Sequence, residues 1–321
     1  MAGLILFLFL GLVLLFLGAE GLVKGASSLS LRLGINPLTI GLTVVAFGTS
    51  MPELFTSIKA VLNQFGAISV GNVIGSNIFN IAVIVGIAAL IYPMSIQTKL
   101  IRRDVPIMII AGLLFVPIFL DLTISRVEGL FLTAGILGYT IYNFHVSKKD
   151  QLEADELITC ESIPNPNKNI LIDFALIIVG LGLLTFGSSL LINNSIQLAR
   201  ILGINEAVIG LTIIAAGTSL PELATSVVAA YKKEPEIAIG NIVGSNIFNI
   251  FCVLGISSLV APIHGNGISW VDVFLMLGLS IVLLPLMMTD RKISRKEGLF
   301  LLLVYGCYLS YLLIKSFATN Q

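Results

Sequence analysis

Two glutamates carry the strongest chemical signal in this chain. Glu53 closes the run Gly48-Thr49-Ser50-Met51-Pro52-Glu53, and Glu222 closes Gly217-Thr218-Ser219-Leu220-Pro221-Glu222. Both runs lie inside long apolar stretches, where an ionisable residue is costly and marks a function. Pro52 has no N–H, so the Gly48 carbonyl loses its helical partner, and Gly48 loosens the backbone there. Carbonyls near Ala46–Thr49 are then expected to turn toward a cation. Glu53 lies four residues after Thr49 and shares its face, with the Ser50 hydroxyl close by. The second run supplies Thr218, Ser219 and Glu222 in the same way. Such an array of carbonyls, hydroxyls and one carboxylate suits hard cations such as Ca²⁺, Na⁺ or Mg²⁺. Ser50-x-x-Glu53 is also a capping-box pattern with Pro in the first turn. Inside an apolar run that reading still means a broken membrane helix, so the two readings are compatible.

A second set of polar residues follows each run. Asn72, Ser76 and Asn80 recur every four residues, as do Asn241, Ser245 and Asn249, with Asn77 and Asn246 adjacent. Ser76, Asn80, Ser245 and Asn249 are read as site residues. Asn72, Asn241 and the glycines Gly71, Gly75, Gly240 and Gly244 are read first as packing elements, because small and polar residues also hold membrane helices together. Two carboxylates about 4–5 Å apart repel by roughly 3–4 kcal/mol at an effective dielectric near 20, and burial adds a desolvation cost. No basic residue lies near them in sequence. The pair therefore calls for a divalent cation, several monovalent ones, or protons, as an exchanger requires.

These residues sit in a duplicated frame. Residues 33–58 and 202–227 share seventeen of 26 positions at a constant offset of 169, and GNVIGSNIFNI at Gly71 recurs as GNIVGSNIFNI at Gly240. The chain is 321 residues long, 56% hydrophobic and only 11% charged, against about 25% charged in soluble domains. It reads as an all-α membrane protein. Ten segments can span a bilayer, each near the usual length of about 20 residues: roughly 2–23, 37–62, 69–91, 105–120 and 128–145, then 170–193, 206–230, 237–262, 271–288 and 298–315. The first is read as a retained helix rather than a cleaved leader. Five spans per half is an odd number, so the halves, 1–145 and 170–321, enter from opposite sides. They form two inverted repeats with broken helices at the midplane.

Basic residues then set the orientation. With both termini outside, 14 of the 18 Lys and Arg fall on inner loops, as the positive-inside rule requires. The segment 146–169 becomes a polar, acidic cytoplasmic linker. The expected location is a cell membrane, inner or plasma. Glu20 and Lys24 are spaced for a local ion pair. Cys160, Cys252 and Cys307 show no paired spacing, and His145 and His264 stand alone, so no disulfide frame or zinc site is implied.

At the paired GTS-x-PE and GNxxGSN-x-x-N motifs, the chain resembles the sodium/calcium exchanger branch of the cation/Ca²⁺ exchanger superfamily. The resemblance covers both halves. The related cation/proton branch has a different glutamate motif and fits less well. The resemblance implies that Glu53 and Glu222, with the carbonyls of Thr49 and Thr218, bind Ca²⁺. The same glutamates with Ser76, Ser245, the Thr49 and Thr218 hydroxyls and the carbonyls of Ala46 and Ala215 would bind Na⁺. Ser50, Ser219, Asn80 and Asn249 would complete the cluster. Spans 1 and 6 would slide to expose the site to each side in turn, several Na⁺ driving one Ca²⁺. Some relatives, including potassium-dependent ones, carry Asp at the position of Asn80 or Asn249; both are Asn here, which weakens the case for K⁺ coupling.

The expected activity is thus a Na⁺/Ca²⁺ antiport without enzymatic function and without a cofactor. Ca²⁺ and Na⁺ are the cargo, protons are competitors, and the lipid bilayer is the solvent. Neither nucleic acid nor an obligate protein partner is implied. A proton-coupled Ca²⁺ or other divalent cation exchanger is the alternative within transport. A passive cation channel fits two inverted halves around one site less well. An intramembrane hydrolase lacks the accompanying Ser–Lys pair or HExxH motif.

Overall fold

The structure, a computed structural model, describes residues 2–154, 169–201 and 215–319. The start of the seventh expected span and most of the linker lie outside the described residues. Helices dominate. In chain order they are α1 (Ala2–Leu33), α2 (Pro37–Thr49), α3 (Met51–Leu62), α4 (Gly66–Ile91), α5 (Val105–Ile118) and α6 (Arg126–Ala154). The second half has α7 (Ile170–Ile201), α8 (Leu220–Tyr231), α9 (Pro235–Val260), α10 (Trp270–Met288) and α11 (Arg295–Thr319). The chain is an all-α membrane protein. Among the described residues, six helices are long and apolar enough to cross a bilayer, and the bent pair α2–α3 makes a seventh. Of the other expected spans, α5 is too short alone, α6 is diluted by Thr, Asn and His, and 206–230 is only partly described. Helix α6 also continues through residues 146–154, a stretch the sequence reading gave to the linker.

The local signals that start these helices are legible. Asn36 caps α2 by accepting the Leu38 N–H at 2.8 Å, with Pro37 in the first turn, where its missing N–H costs nothing. True capping boxes open α6 and α11. Glu128 accepts from the Ser125 N–H and hydroxyl at 2.7 and 2.8 Å, and Glu297 accepts from those of Ser294 at 2.7 and 2.8 Å.

Two short ladders tie the halves together. Met94–Ser95 pairs antiparallel with Lys292–Ile293, and Thr123–Ile124 pairs with Ile263–His264. Adding 169 to Met94 and Ile124 gives Ile263 and Ile293, so each ladder is the other with the halves exchanged.

Burial sorts the helices into a centre and a flank. Over the most apolar 18 residues of each helix, the buried share is 100% in α9 and 78% in α4, but 22% in α1 and 28% in α7. Helices α1 and α7 lie along one another on one side, with backbones in close approach at Gly18 and Gly180. The expected local pair of Glu20 and Lys24 is not what Glu20 makes. Its carboxylate pairs with Lys232 at 3.0 Å, because α1 packs beside α8 and brings the loop after it within reach.

Candidate ion site

Helix α2 ends at Thr49 and α3 starts at Met51, with a 41° bend between them. Ser50 sits in the break at φ −80°, ψ 2°, and Ser219 takes nearly the same conformation before α8. Neither serine makes a side-chain cap hydrogen bond, so the capping-box reading does not hold here. Each hydroxyl turns to the other half instead. Ser50 Oγ donates to Glu222 Oε1 at 3.3 Å, and Ser219 Oγ donates to Glu53 Oε1 at 3.2 Å. The same serine that caps a helix in water here supplies a buried carboxylate with a hydrogen bond it cannot obtain from solvent.

The exchange of halves recurs at the threonines and their asparagines. Thr49 Oγ1 donates to Asn241 Oδ1 at 3.0 Å, and Thr218 Oγ1 donates to Asn72 Oδ1 at 3.1 Å. The Asn241 amide donates to the Glu222 carbonyl and to Ser226 at 3.4 and 3.0 Å. The Asn72 amide donates to the Glu53 carbonyl and to Ser57, both at 3.2 Å. Asn72 and Asn241 therefore hold the broken helices in place, as the packing reading expected, and also fix the threonine hydroxyls. Ser76 Oγ lies 3.5 Å from Glu53 Oε1, and Ser245 Oγ lies 3.4 Å from Thr49 Oγ1.

Asn80 and Asn249 each open a π-helical turn, Asn80–Ile84 and Asn249–Leu254. Such bulges interrupt regular helix pairing and are common at functional sites. The Asn80 amide donates to Asn246 Oδ1 at 3.5 Å, and the Asn249 amide to Asn77 Oδ1 at 3.0 Å. Asn77 and Asn246, which the sequence reading noted only as neighbours, thus orient the two site amides. Their place in the repeated GSN-x-x-N motif is the signal that assigns them.

Four side-chain oxygens of this cluster are buried without a hydrogen-bond partner: Glu53 Oε2, Glu222 Oε2, Asn80 Oδ1 and Asn249 Oδ1. Both glutamates are 0% exposed, as are both asparagines. Among the described residues, no cation pairs with either glutamate. An unpartnered buried acceptor costs about 1–3 kcal/mol, and more when charged, so four together would be stabilised by a cation. Every donor atom is oxygen, which fits hard cations.

Two expectations about the backbone need correction. The Ala46 carbonyl is not freed by Pro52, since it accepts the Ser50 N–H at 3.0 Å and the Thr49 hydroxyl at 3.4 Å. In the second half, the carbonyl that Pro221 leaves without a helical partner, that of Gly217, accepts from Ser188 of α7 at 2.8 Å. Ala215 begins a single helical turn, Ala215–Gly217, and the residues before it are not described. Gly48 and Gly217 serve packing as well as bending. A Cβ on Gly48 would meet the Leu181 side chain at 2.6 Å, and one on Gly217 would meet Ile192 at 2.5 Å.

Access to the cluster differs between the halves. A cavity of about 290 Å³ reaches Asn72, Gly75 and Thr218, and it is also lined by Thr56, Asp272 and Tyr308. On the exchanged face, Thr49 and Asn241 are 0% exposed. There α2 lies so close to α9 that a Cβ on Gly244 would stand 2.6 Å from the Leu42 carbonyl oxygen.

Apolar helices wrapped around a buried set of oxygen donors define an integral membrane protein of the all-α class. The chain belongs to the sodium/calcium exchanger protein family, which matches residues 3–145 and again residues 172–314. Membership makes it a membrane transporter of the antiporter kind. It is 35% identical over 296 residues to the sodium/calcium exchanger MaX1 of Methanosarcina acetivorans, covering 82% of this chain and 85% of that protein. It is 37% identical to the CaxA protein of Alkalimonas amylolytica, over 84% of this chain and 85% of that one. A solved structure of the sodium-calcium exchanger NCX_Mj superposes with a TM-score of 0.83 at 29% identity, over 97% of this chain and 100% of that one.

Proposed function

We propose that this chain exchanges Na⁺ for Ca²⁺ by alternating access to one site between its halves. The single observation that carries this reading is the set of four unpaired buried oxygens, one glutamate and one asparagine from each half. Glu53 and Glu222 are the charged ligands of Ca²⁺, with the carbonyls of Thr49 and Thr218. Their own like charge is unfavourable in a dry site, so the pair is stable only when a divalent ion, several Na⁺ or protons occupy it. Ser76, Ser245 and the threonine hydroxyls serve Na⁺. Ser50, Ser219, Asn80 and Asn249 complete the cluster. Loading by one cargo and then the other follows from this charge requirement.

The architecture we infer is ten membrane helices in two inverted repeats, 1–145 and 170–321, joined by a cytoplasmic linker at 146–169, with both termini outside. The exchanged hydrogen bonds and the paired ladders support it, since a two-fold relation makes each contact recur with its partners swapped. In this arrangement the cavity at Asn72 and Thr218 opens outward. The inner end is held by Glu20–Lys232 and by Ser27, which donates to Glu234 at 3.0 Å. Sliding of α1 and α7 breaks those contacts and closes the outer side.

The test is ⁴⁵Ca²⁺ uptake into proteoliposomes loaded with Na⁺. Uptake that requires an outward Na⁺ gradient is the expected result. Uptake driven by a pH gradient in the absence of Na⁺ assigns the proton-coupled alternative. Uptake indifferent to both gradients refutes alternating exchange.

A further inference from the structure

One polar pair is repeated in both halves and is not used by the site described so far. Tyr139 Oη donates to Asp104 Oδ1 at 3.2 Å, and Tyr308 Oη donates to Asp272 Oδ1 at 2.9 Å. The aspartates begin the related strings DVPIM and DVFLM, and the tyrosines are 169 residues apart. The two pairs differ in what surrounds them. Asp104 is fully buried and held by Arg103 at 3.0 Å, and Arg103 in turn donates to Asn143 at 2.7 Å. Asp272 is half-buried. Among the described residues no cation pairs with it, and its one side-chain partner is Tyr308. It also lines the cavity of about 290 Å³ that reaches Asn72 and Thr218. Among the described residues it is the sole carboxylate on that lining, and no Lys or Arg shares it.

We propose that Asp272 is a further residue of the exchange reaction, a cation-recruiting carboxylate at the mouth of the access cavity. The inference rests on Na⁺/Ca²⁺ exchange at Glu53 and Glu222. A single-sign charge in a cleft with apolar walls focuses the field and raises the local concentration of the opposite ion. The half that is sealed neutralises its aspartate with Arg103. In the half that is open, a resident guanidinium would repel the incoming ion, and none is there. Asp272 Oδ1 accepts from Tyr308, and among the described residues no side chain donates to its other oxygen. Asp in the first turn of a helix also favours the helix dipole, but that role acts on folding and not on the concentration of external cation.

The experiment compares wild type, Asp272→Asn, Asp272→Glu and Tyr308→Phe in Na⁺-driven ⁴⁵Ca²⁺ uptake at varied external Ca²⁺. Asparagine keeps the shape and the acceptor for Tyr308, so the fold is retained and only charge is lost. Asp272→Asn is expected to raise KM for external Ca²⁺ by about 5-fold, below the 10- to 1,000-fold range of strong steering, with kcat unchanged. Choline chloride is expected to erase that difference, because the Debye length falls to about 3 Å at 1 M salt. Asp272→Glu restores the wild-type KM, and Tyr308→Phe leaves it within about two-fold, since the charge remains. A KM in Asp272→Asn equal to that of wild type overturns the proposal. So does a loss confined to kcat, or one that persists at high salt or is copied by Tyr308→Phe, which makes the pair a structural clasp. Wild-type vesicles without Na⁺-driven uptake would overturn the exchange reading itself, and this inference with it.

Discussion

Replacing Glu222 by Gln tests the ion site with the least change of shape. In the native protein Glu222 Oε1 accepts from Ser50 and Oε2 has no partner. A glutamine keeps the volume and can still meet the Ser50 hydroxyl. It puts a neutral amide where the free carboxylate oxygen stood, so one full charge is lost from the pair that faces the cation. Truncating one partner of a buried charge pair in a binding site typically costs about 2–5 kcal/mol, which is roughly 30- to 4,000-fold in affinity at 1.4 kcal/mol per tenfold. No described cation is left stranded by the change, so the loss falls on ion binding and not on the fold. Glu53→Gln is expected to behave alike, because Ser219 holds Glu53 as Ser50 holds Glu222. The assay is Ca²⁺ binding to purified protein in Na⁺-free buffer, followed by ⁴⁵Ca²⁺ uptake. Thermal unfolding without ions serves as the control and should shift little. If either variant binds Ca²⁺ within tenfold of wild type, the two carboxylates are not its ligands and the charge argument fails.

Three further outcomes follow from the same geometry. Gly244→Ala places a Cβ 2.6 Å from the Leu42 carbonyl oxygen, so overpacking should cost about 1–3 kcal/mol and lower the thermal midpoint; Gly75→Ala, with no described atom within 4 Å of its Cβ, should leave the midpoint in place. Ser294→Ala removes a real cap and should cost about 1 kcal/mol of stability with uptake intact, whereas Ser50→Ala takes a hydrogen bond from the buried Glu222 and should reduce uptake; uptake unchanged in Ser50→Ala would restore the capping-box reading. Acidification should inhibit uptake, because a protonated carboxylate no longer carries the charge the cation needs. Protons and Ca²⁺ then compete, so raising Ca²⁺ should move the acid limb of the profile to lower pH; a limb that stays fixed would place the titrating group elsewhere.

Much of this protein was legible in its residues. The offset of 169 located the two buried glutamates, the two stripes of Ser and Asn, and the helices that carry them. Hydropathy and Pro52 marked a broken helix between Gly48 and Pro52, and the structure puts the break at Ser50. An ionisable pair in apolar runs without a basic neighbour is what raised the proposal of a cation site. These features are local, or recur with a fixed period, and so they survive in one dimension.

The rest depended on which side chains meet across the halves, and spacing alone does not encode that. Ser50 serves Glu222 rather than its own helix end. Glu20 reaches Lys232 rather than Lys24. The Ala46 carbonyl stays inside its helix, and the Gly217 carbonyl turns to Ser188 of α7. Asp104 and Asp272 look alike in the sequence, as DVPIM and DVFLM, yet one is sealed by Arg103 and the other lines an open cavity. In each case a buried polar group takes whichever partner packing brings within about 3 Å, because water is not there to satisfy it. The sequence by itself determined which buried polar groups had to find partners; only the tertiary structure decided which partners, since that choice is made by helices distant along the chain and adjacent in space.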